Sequence, residues 1–397
     1  MLAATVRVTR DLDLAEESVQ DAYVQALESW NRDGIPERPG AWLTTTARRR
    51  ALNALARGRT LRSKLPMLIE PEPERDREAD RPAEEEESIP DDRLRLIFCC
   101  CNPALAREAR LALTLRYVCG IATDDIAHMF LVPKATLAAR LTRAKKKIAA
   151  AGIPFSVPPA EELAGRVDAV LTVIHLLVTT AHSDPSGDQL TRADLGEPSL
   201  DLARMLNRLL PEERETAGML ALALIHHSRR DTRTDESGSL ILLREQDRTR
   251  WDPDEIAEAD RLIVEALRAG PPGRFTLQAA IASIHAHAPS HEQTDWPQIV
   301  VLYDELRKVW PTPVIDLNRA VAVSMVEDPE AGLTEIERIE SAGRLDEYPY
   351  LHAAKAELLT RAGRPEEAAD SYRRAIALTG NTAEREHLAG RLAELER

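Results

Sequence analysis

Aromatic residues are scarce: Phe, Trp and Tyr together make up 4% of this 397-residue chain. Strands favour aromatic and β-branched side chains, so the shortage, beside abundant Ala, Leu, Glu and Arg, argues against a β-sandwich and predicts helices packed on helices. Cysteine is equally thin. Of four cysteines, Cys99, Cys100 and Cys101 are adjacent, and neighbouring residues pair only in a strained ring, so no disulfide framework is expected. No apolar run reaches the roughly 18 to 20 residues that span a bilayer. The opening "MLAATVRVTR" lacks the apolar core and cleavage site of a signal peptide. A cytoplasmic chain with no membrane partner is therefore expected. A formal charge of −14 excludes a protein that coats nucleic acid along its whole length and leaves local basic patches as the places to look.

What is present is helical grammar on a length that suits two or three domains. In "DLDLAEESVQDAYVQALESW", Ala15, Val19, Ala22, Ala26 and Trp30 fall at helical spacing, with Glu17, Gln20, Asp21 and Glu28 on the other face. A Gly- and Pro-punctuated loop, "NRDGIPERPG", leads to "AWLTTTARRRALNALARGR", a basic helix pairing Trp42 with Arg48, Arg49, Arg50, Arg57 and Arg59. Aromatic and basic side chains together suit a melted strand, whose bases stack and whose phosphates need neutralising. The competing reading puts Trp42 in a core and leaves the arginines solvated.

Between Glu70 and Asp92 the sequence carries 12 acidic residues against 3 basic ones, too polar to bury a core, and reads as a flexible linker. A short helix over Asp92 to Cys101 follows. The next is expected to start with Asn102 as N-cap and Pro103 in its first turn, and to end at Gly120. "TDDIAHMF", with Thr123 as cap, the turn "LVPK" and "ATLAARLTRAKKKIAAAG" form helix-turn-helix grammar. The second helix carries Lys134, Arg140, Arg143, Lys145, Lys146 and Lys147, with no acid between Ile126 and Ala160. Such a helix fits the major groove and neutralises phosphates. Beyond "PFSVPPAEE" come helical hairpins. Ala356, Leu359, Ala368, Tyr372 and Ala375 take the spacing of a tetratricopeptide repeat, and Ala320, Val323, Gly332 and Ile336 repeat it more weakly.

Together these segments resemble an extracytoplasmic-function (ECF) sigma factor. "DLDLAEESVQDAYVQALESW" is similar to region 2.2, "AWLTTTARRRALNAL" to regions 2.3 and 2.4, and "ALTLRYVCGIATDDIAHMFLVPKATLAARLTRAKKKI" to region 4. "RLIFCCCNPAL", "AGIPFSVP", "RADLGEPSLDLARML", "EQDRTRW", "QAAIASIHAHAP" and "LNRAVAV" resemble the ECF group with a tetratricopeptide-like C-terminal extension. The resemblance implies an all-α chain: region 2 over 1–64, lacking a leading helix of region 2.1, an acidic linker over 65–91, a region 4 helix-turn-helix over 92–154 and the extension over 155–397. It implies docking on core RNA polymerase, at the β-prime clamp helices and the β flap, with Glu17, Gln20, Asp21 and Val24 facing the clamp helices. The melted −10 element falls to the loop at Asn31 to Gly34 and to Trp42, Arg48, Arg49, Asn53 and Arg57; the −35 duplex falls to Lys134, Thr136, Arg140, Thr142, Arg143 and Lys145. Asn53 stands where such helices usually carry Asp, and Ala138 and Ala139 offer bases no hydrogen bond. Promoter opening by capture consumes no ATP, so the implied protein is a non-catalytic subunit with no cofactor. The extension would regulate it, through a protein partner or an intramolecular contact.

Three other readings stand beside this one, the first a repeat scaffold with no DNA role, which leaves the uninterrupted basic helix unexplained. A helix-turn-helix regulator with a repeat sensor would bind duplex DNA and ignore core polymerase. A metalloenzyme would use the histidines, but His226 and His227 diverge as neighbours on a helix, and Pro289 interrupts the spacing of His287 and His291, so no metal site and no catalytic residue is expected. The cysteine run reads as packing: Ile97, Phe98 and Cys101 share a stripe with Leu94, while Cys99 and Cys100 point to other faces.

Overall fold

The computed structural model describes residues 1–64 and 92–397, apart from 103, 119, 131, 154, 156–160, 162–165, 184–185, 188–189, 192 and 237. The expected acidic linker at 65–91, and Pro103, lie outside the described residues. Among the described residues the chain is all-α, with 18 α-helices and two strands of 2 residues each. It forms two compact units, Met1–Val170 and Leu171–Arg397.

In the first unit, α1 (Leu2–Thr9) closes on Arg10, whose φ of +53° makes it the only left-handed non-glycine among the described residues. That reversal lets α2 (Leu12–Asp33) begin at once, its first turn capped by Asp11, which accepts from the N–H groups of Asp13 and Leu14 at 2.9 and 3.0 Å. The buried side of α2 is made of small residues, Ala15, Ser18, Ala22 and Ala26, and it packs on α3 (Pro39–Lys64), where Ala47 and Ala51 are fully buried. Val19 and Trp30, placed in the same stripe by their spacing, are half-buried.

Helix α4 (Asp92–Cys100) agrees with the cysteine run as packing but not with a stripe that leaves Cys99 and Cys100 out. Leu96 to Cys101 are all buried, so Cys99 and Cys100 are as enclosed as Cys101 and the C-terminal half of the helix is buried all round. The next helix also starts later than expected. Asn102 accepts from the Ala104 N–H at 2.9 Å, a local turn, and α5 runs Arg107–Tyr117 with Ala106 as its N-cap. Gly120, with φ +71°, then reverses the chain. Thr123 is the first residue inside α6 (Thr123–Met129), whose first backbone bond runs from Ile126 N–H to Ala122 carbonyl, so Ala122 stands where Thr123 was expected to cap. Helix α7 (Lys134–Ala151) buries Leu137, Leu141, Ala144 and Ile148 and stops at Gly152, φ +59°.

Helix α8 (Val167–His182) leads into the second unit, where α9 (Ala193–Leu209), α10 (Arg214–Ser228), α11 (Pro253–Arg268), α12 (Arg274–His287), α13 (Trp296–Val309), α14 (Pro313–Val326), α15 (Pro329–Ser341), α16 (Pro349–Arg361), α17 (Pro365–Leu378) and α18 (Thr382–Leu395) follow. Pro in the first turn after a capping Asp or Thr starts four of these helices, α11, α13, α14 and α15. Most pack mainly on their neighbours in sequence, as successive hairpins require, while α12 packs most closely on α10. Ala356, Leu359, Ala368, Tyr372 and Ala375, singled out by spacing, are all at most 2% exposed. Gly332 sits where an added Cβ would meet the Ala320 carbonyl at 2.9 Å, which is why the small position there is glycine. Parallel pairing of β1 (Ser186–Gly187) with β2 (Gly380–Asn381) brings the end of this unit back to its start.

Candidate nucleic-acid and protein interface

Three faces of the first unit carry the residues singled out by sequence. On α2, Glu17, Gln20, Asp21 and Val24 are exposed together. The same face shows Tyr23, Val24 and Leu27 at 51, 56 and 69% exposure, an apolar patch ringed by acid. Tyr23 and Leu27 went unnamed in the sequence reading, although Leu27 lies i+3 from Val24 and i+7 from Gln20 and was legible by spacing. Asp21 has a second role: its carboxylate holds Arg50 of α3 at 3.0 Å, and Gln25 accepts from the same guanidinium. Arg50 thereby fixes α3 against α2.

On α3, the helical period puts Trp42, Arg49, Asn53 and Arg57 on one side and turns Arg48 about 100° away. Arg49, Asn53 and Arg57 are exposed, whereas Arg48 and Trp42 are half-buried. Trp42 packs edge-on against Trp30, ring centroids 5.5 Å apart, so its role in the core and its place beside the basic face coexist.

On α7 the polar residues divide, Arg140 and Lys145 being half-buried and the others exposed. Thr136, Arg140 and Arg143, with Lys147, follow one flank of the buried Leu137–Leu141–Ala144–Ile148 stripe. Lys134 and Lys145 lie on the other flank and are engaged. Lys134 pairs with Asp124 at 2.7 Å, while Lys145 reaches Asp13 at 2.7 Å and Glu16 at 3.9 Å and lies over the Tyr117 ring. Burial works against the Lys145 ammonium, but the hydrogen bonds to Asp13 and Tyr117 outweigh it and hold its pKa raised. Arg116 adds a second tie to Glu16 at 3.3 Å. Thr142 turns its hydroxyl inward to the Ala138 carbonyl at 3.0 Å.

The histidines do not gather into a metal-ligand set, although the His182 and His226 rings pack 4.7 Å apart. His227 bonds Glu255 at 2.8 Å, His287 pairs with Asp260 at 2.9 Å, and His285 and His291 flank Trp296. Among the described residues no group of three His, Cys, Asp or Glu side chains is placed to hold a metal, and no helix is long and apolar enough to cross a membrane.

Comparison with known proteins bears on these faces. The chain is 42% identical, over 99% of its length and 93% of the other's, to an uncharacterized protein of Rhizobium meliloti (strain 1021). It belongs to that protein's family. Residues 2–60 match Sigma-70 region 2, and residues 166–267 match a Family of unknown function (DUF6596). The region 2 match takes in α1, α2 and most of α3, and it supports a sigma-70 family factor with a sigma-factor-like role in transcription initiation. Sigma-70 region 2 belongs to a non-catalytic specificity subunit and implies binding to core RNA polymerase and promoter DNA.

Proposed function

We propose that the chain is an alternative sigma factor of the extracytoplasmic-function type, acting in the cytoplasm. The observation that carries this reading is the region 2 match over helices whose exposed faces hold an acid-ringed apolar patch and a basic row. The patch at Glu17, Gln20, Asp21 and Val24, extended by Tyr23 and Leu27, docks on the basic clamp helices of the β-prime subunit. The row Trp42, Arg48, Arg49, Asn53 and Arg57 holds the melted −10 strand, with Arg49, Asn53 and Arg57 nearest the DNA. Region 4 spans 92–154 and meets the β flap and the −35 duplex. Thr136, Arg140 and Arg143 lead on the duplex, joined by Lys134, Thr142 and Lys145 once the two lysines leave Asp124, Asp13 and Glu16. The helices from 155 onward form a tetratricopeptide-like extension that regulates the factor.

Reconstitution of the full chain with core RNA polymerase tests this. Stable binding to core and promoter-directed transcription are expected; no affinity for core would remove the reading and leave a duplex-binding regulator, to which the apolar patch on α2 is useless.

A further inference from the structure

The second unit contains a cavity of about 660 Å³ between α8, α9, α10 and the segment that follows α10. All of its lining lies within residues 166–267, the part matching a family of unknown function. His182, His226, Arg230, Arg233 and Arg250 line it beside two exposed carboxylates, Glu197 and Asp231. Arg229 stands behind the two histidines, its Nη2 donating to His182 Nε2 at 2.9 Å and His226 Nδ1 at 3.3 Å.

The charge in this wall is unbalanced. Arg233 donates to the His182 carbonyl at 2.7 Å, and the buried Nε atoms of Arg229 and Arg233 have no hydrogen-bond partner. Neither guanidinium forms an ion pair with a carboxylate among the described residues. Glu255 is engaged by His227 and Arg230, Glu197 sits 3.5 Å from His227 on the exposed rim, and Asp231 is exposed. Glu384 acts on Arg233 only from a distance, its carboxylate being bonded to Ser183 and Tyr350. Burial, with Arg233 and Arg248 nearby, brings the Arg229 pKa down to about 9, and burial brings Arg233 down to about 10. A guanidinium only donates, so the accepting His182 and His226 are neutral, and their remaining ring N–H groups are donors too. Burial first, then Arg229, keeps both imidazoles from charging. Cations withdrawn from water without a counter-charge are unfavourable until an anion joins them.

We propose that this cavity binds a small metabolite carrying an oxyanion, a phosphate or a carboxylate. Arg233, Arg230 and Arg250 hold the anionic group, and Arg229 orients the two histidine rings behind it. Val178, Leu200 and Ala223 line the same space and face the apolar body of the molecule. The inference is independent of the sigma-factor reading.

Isothermal titration calorimetry on the full chain, with inorganic pyrophosphate and with citrate at constant ionic strength, tests it. Saturable binding of either, close to one equivalent per chain, is expected, and the tighter of the two tells phosphate from carboxylate. Arg233→Gln and, separately, Arg230→Gln should each weaken binding at least tenfold, while Arg364→Gln, on an exposed turn far along the repeats, should leave it unchanged. Arg230 is exposed, so its replacement carries the test if Arg233→Gln unfolds the unit, which circular dichroism would show. Absence of binding by both anions, or undiminished binding in Arg230→Gln, overturns the proposal.

Discussion

Lys145 sits between two demands. Its place on the basic helix α7 would offer it to phosphate in the proposed role, yet in the folded chain Asp13 and Glu16 hold it, whereas Arg143 is exposed and bonds only to the Ala139 carbonyl of its own helix among the described residues. A phosphate contact by Lys145 must first break those pairs, so its net value is small. Duplex binding should therefore respond more to Arg143→Ala than to Lys145→Ala, with Arg143→Ala reducing the salt dependence by about one phosphate contact. Fluorescence anisotropy across a salt series on a −35 duplex checks it, and an equal or larger effect at Lys145 contradicts it. The same scale settles the cysteines. Burial pushes the Cys101 thiol up to about 12, and Cys99 and Cys100 are equally enclosed. At pH 8 the native chain should leave all three unlabelled by iodoacetamide, and denaturant should speed their reaction by on the order of 100-fold, measured by peptide mass spectrometry.

At the scale of elements, close helix approach explains where small residues fall. Helices α10 and α12 cross at Gly218, where an added Cβ would meet the Thr276 backbone nitrogen at 2.6 Å and its Cα at 2.8 Å. Because backbone cannot move aside as a side-chain tip does, Gly218→Ala should destabilise the fold by about 1–3 kcal/mol. Gly40, in the first turn of α3, meets nothing within 4 Å, and Gly40→Ala should be neutral or slightly stabilising. Guanidinium unfolding of both variants tests the pair together. The exposed face of α2 makes the complementary case. Leu27, 69% exposed, contributes little to folding, so Leu27→Arg should leave the melting temperature unchanged while weakening core-polymerase binding by more than about tenfold. Unchanged affinity would move the docking surface off this helix.

Across the second unit, buried histidines link stability to pH. Burial, reinforced by Arg274, lowers His175 to about 4, and burial with Arg229 and Arg248 lowers His285 to about 4; His182 and His226 lie well below their ordinary value for the same cause. In the unfolded chain each titrates near 6.5. Between about 6.5 and 4 the unfolded state binds protons that the folded state refuses, so the stability present above 6.5 declines as pH falls through this window, by up to about 1.4 kcal/mol per pH unit for each histidine. Glu384, whose carboxyl is raised by burial, works in the opposite direction, but His291 and His387, also lowered by burial, act with these four. The unfolding midpoint of the full chain should thus drop between pH 7.5 and 5.5. A midpoint that is flat or rises on acidification would show that these rings are solvated.

Much was legible in the order of residues because helices declare themselves locally. Periodicity placed α2, α3, α7 and the later helices, and spacing alone identified the buried Ala356, Leu359, Ala368, Tyr372 and Ala375. Local rules failed where a distant partner intervened. Asn102 looked like a helix cap and instead closes a turn ahead of α5, and Cys99 and Cys100, which spacing turned away from the Cys101 stripe, are as buried as Cys101. Composition and spacing by themselves determined an all-α chain with an acid-ringed helix and a basic one. Only the tertiary structure decided which charges are spent: Asp21 on Arg50, Asp13 and Glu16 on Lys145, and none on Arg229 or Arg233. The reason is that ion pairing and burial depend on distances between residues far apart in the chain, which helical periodicity does not encode.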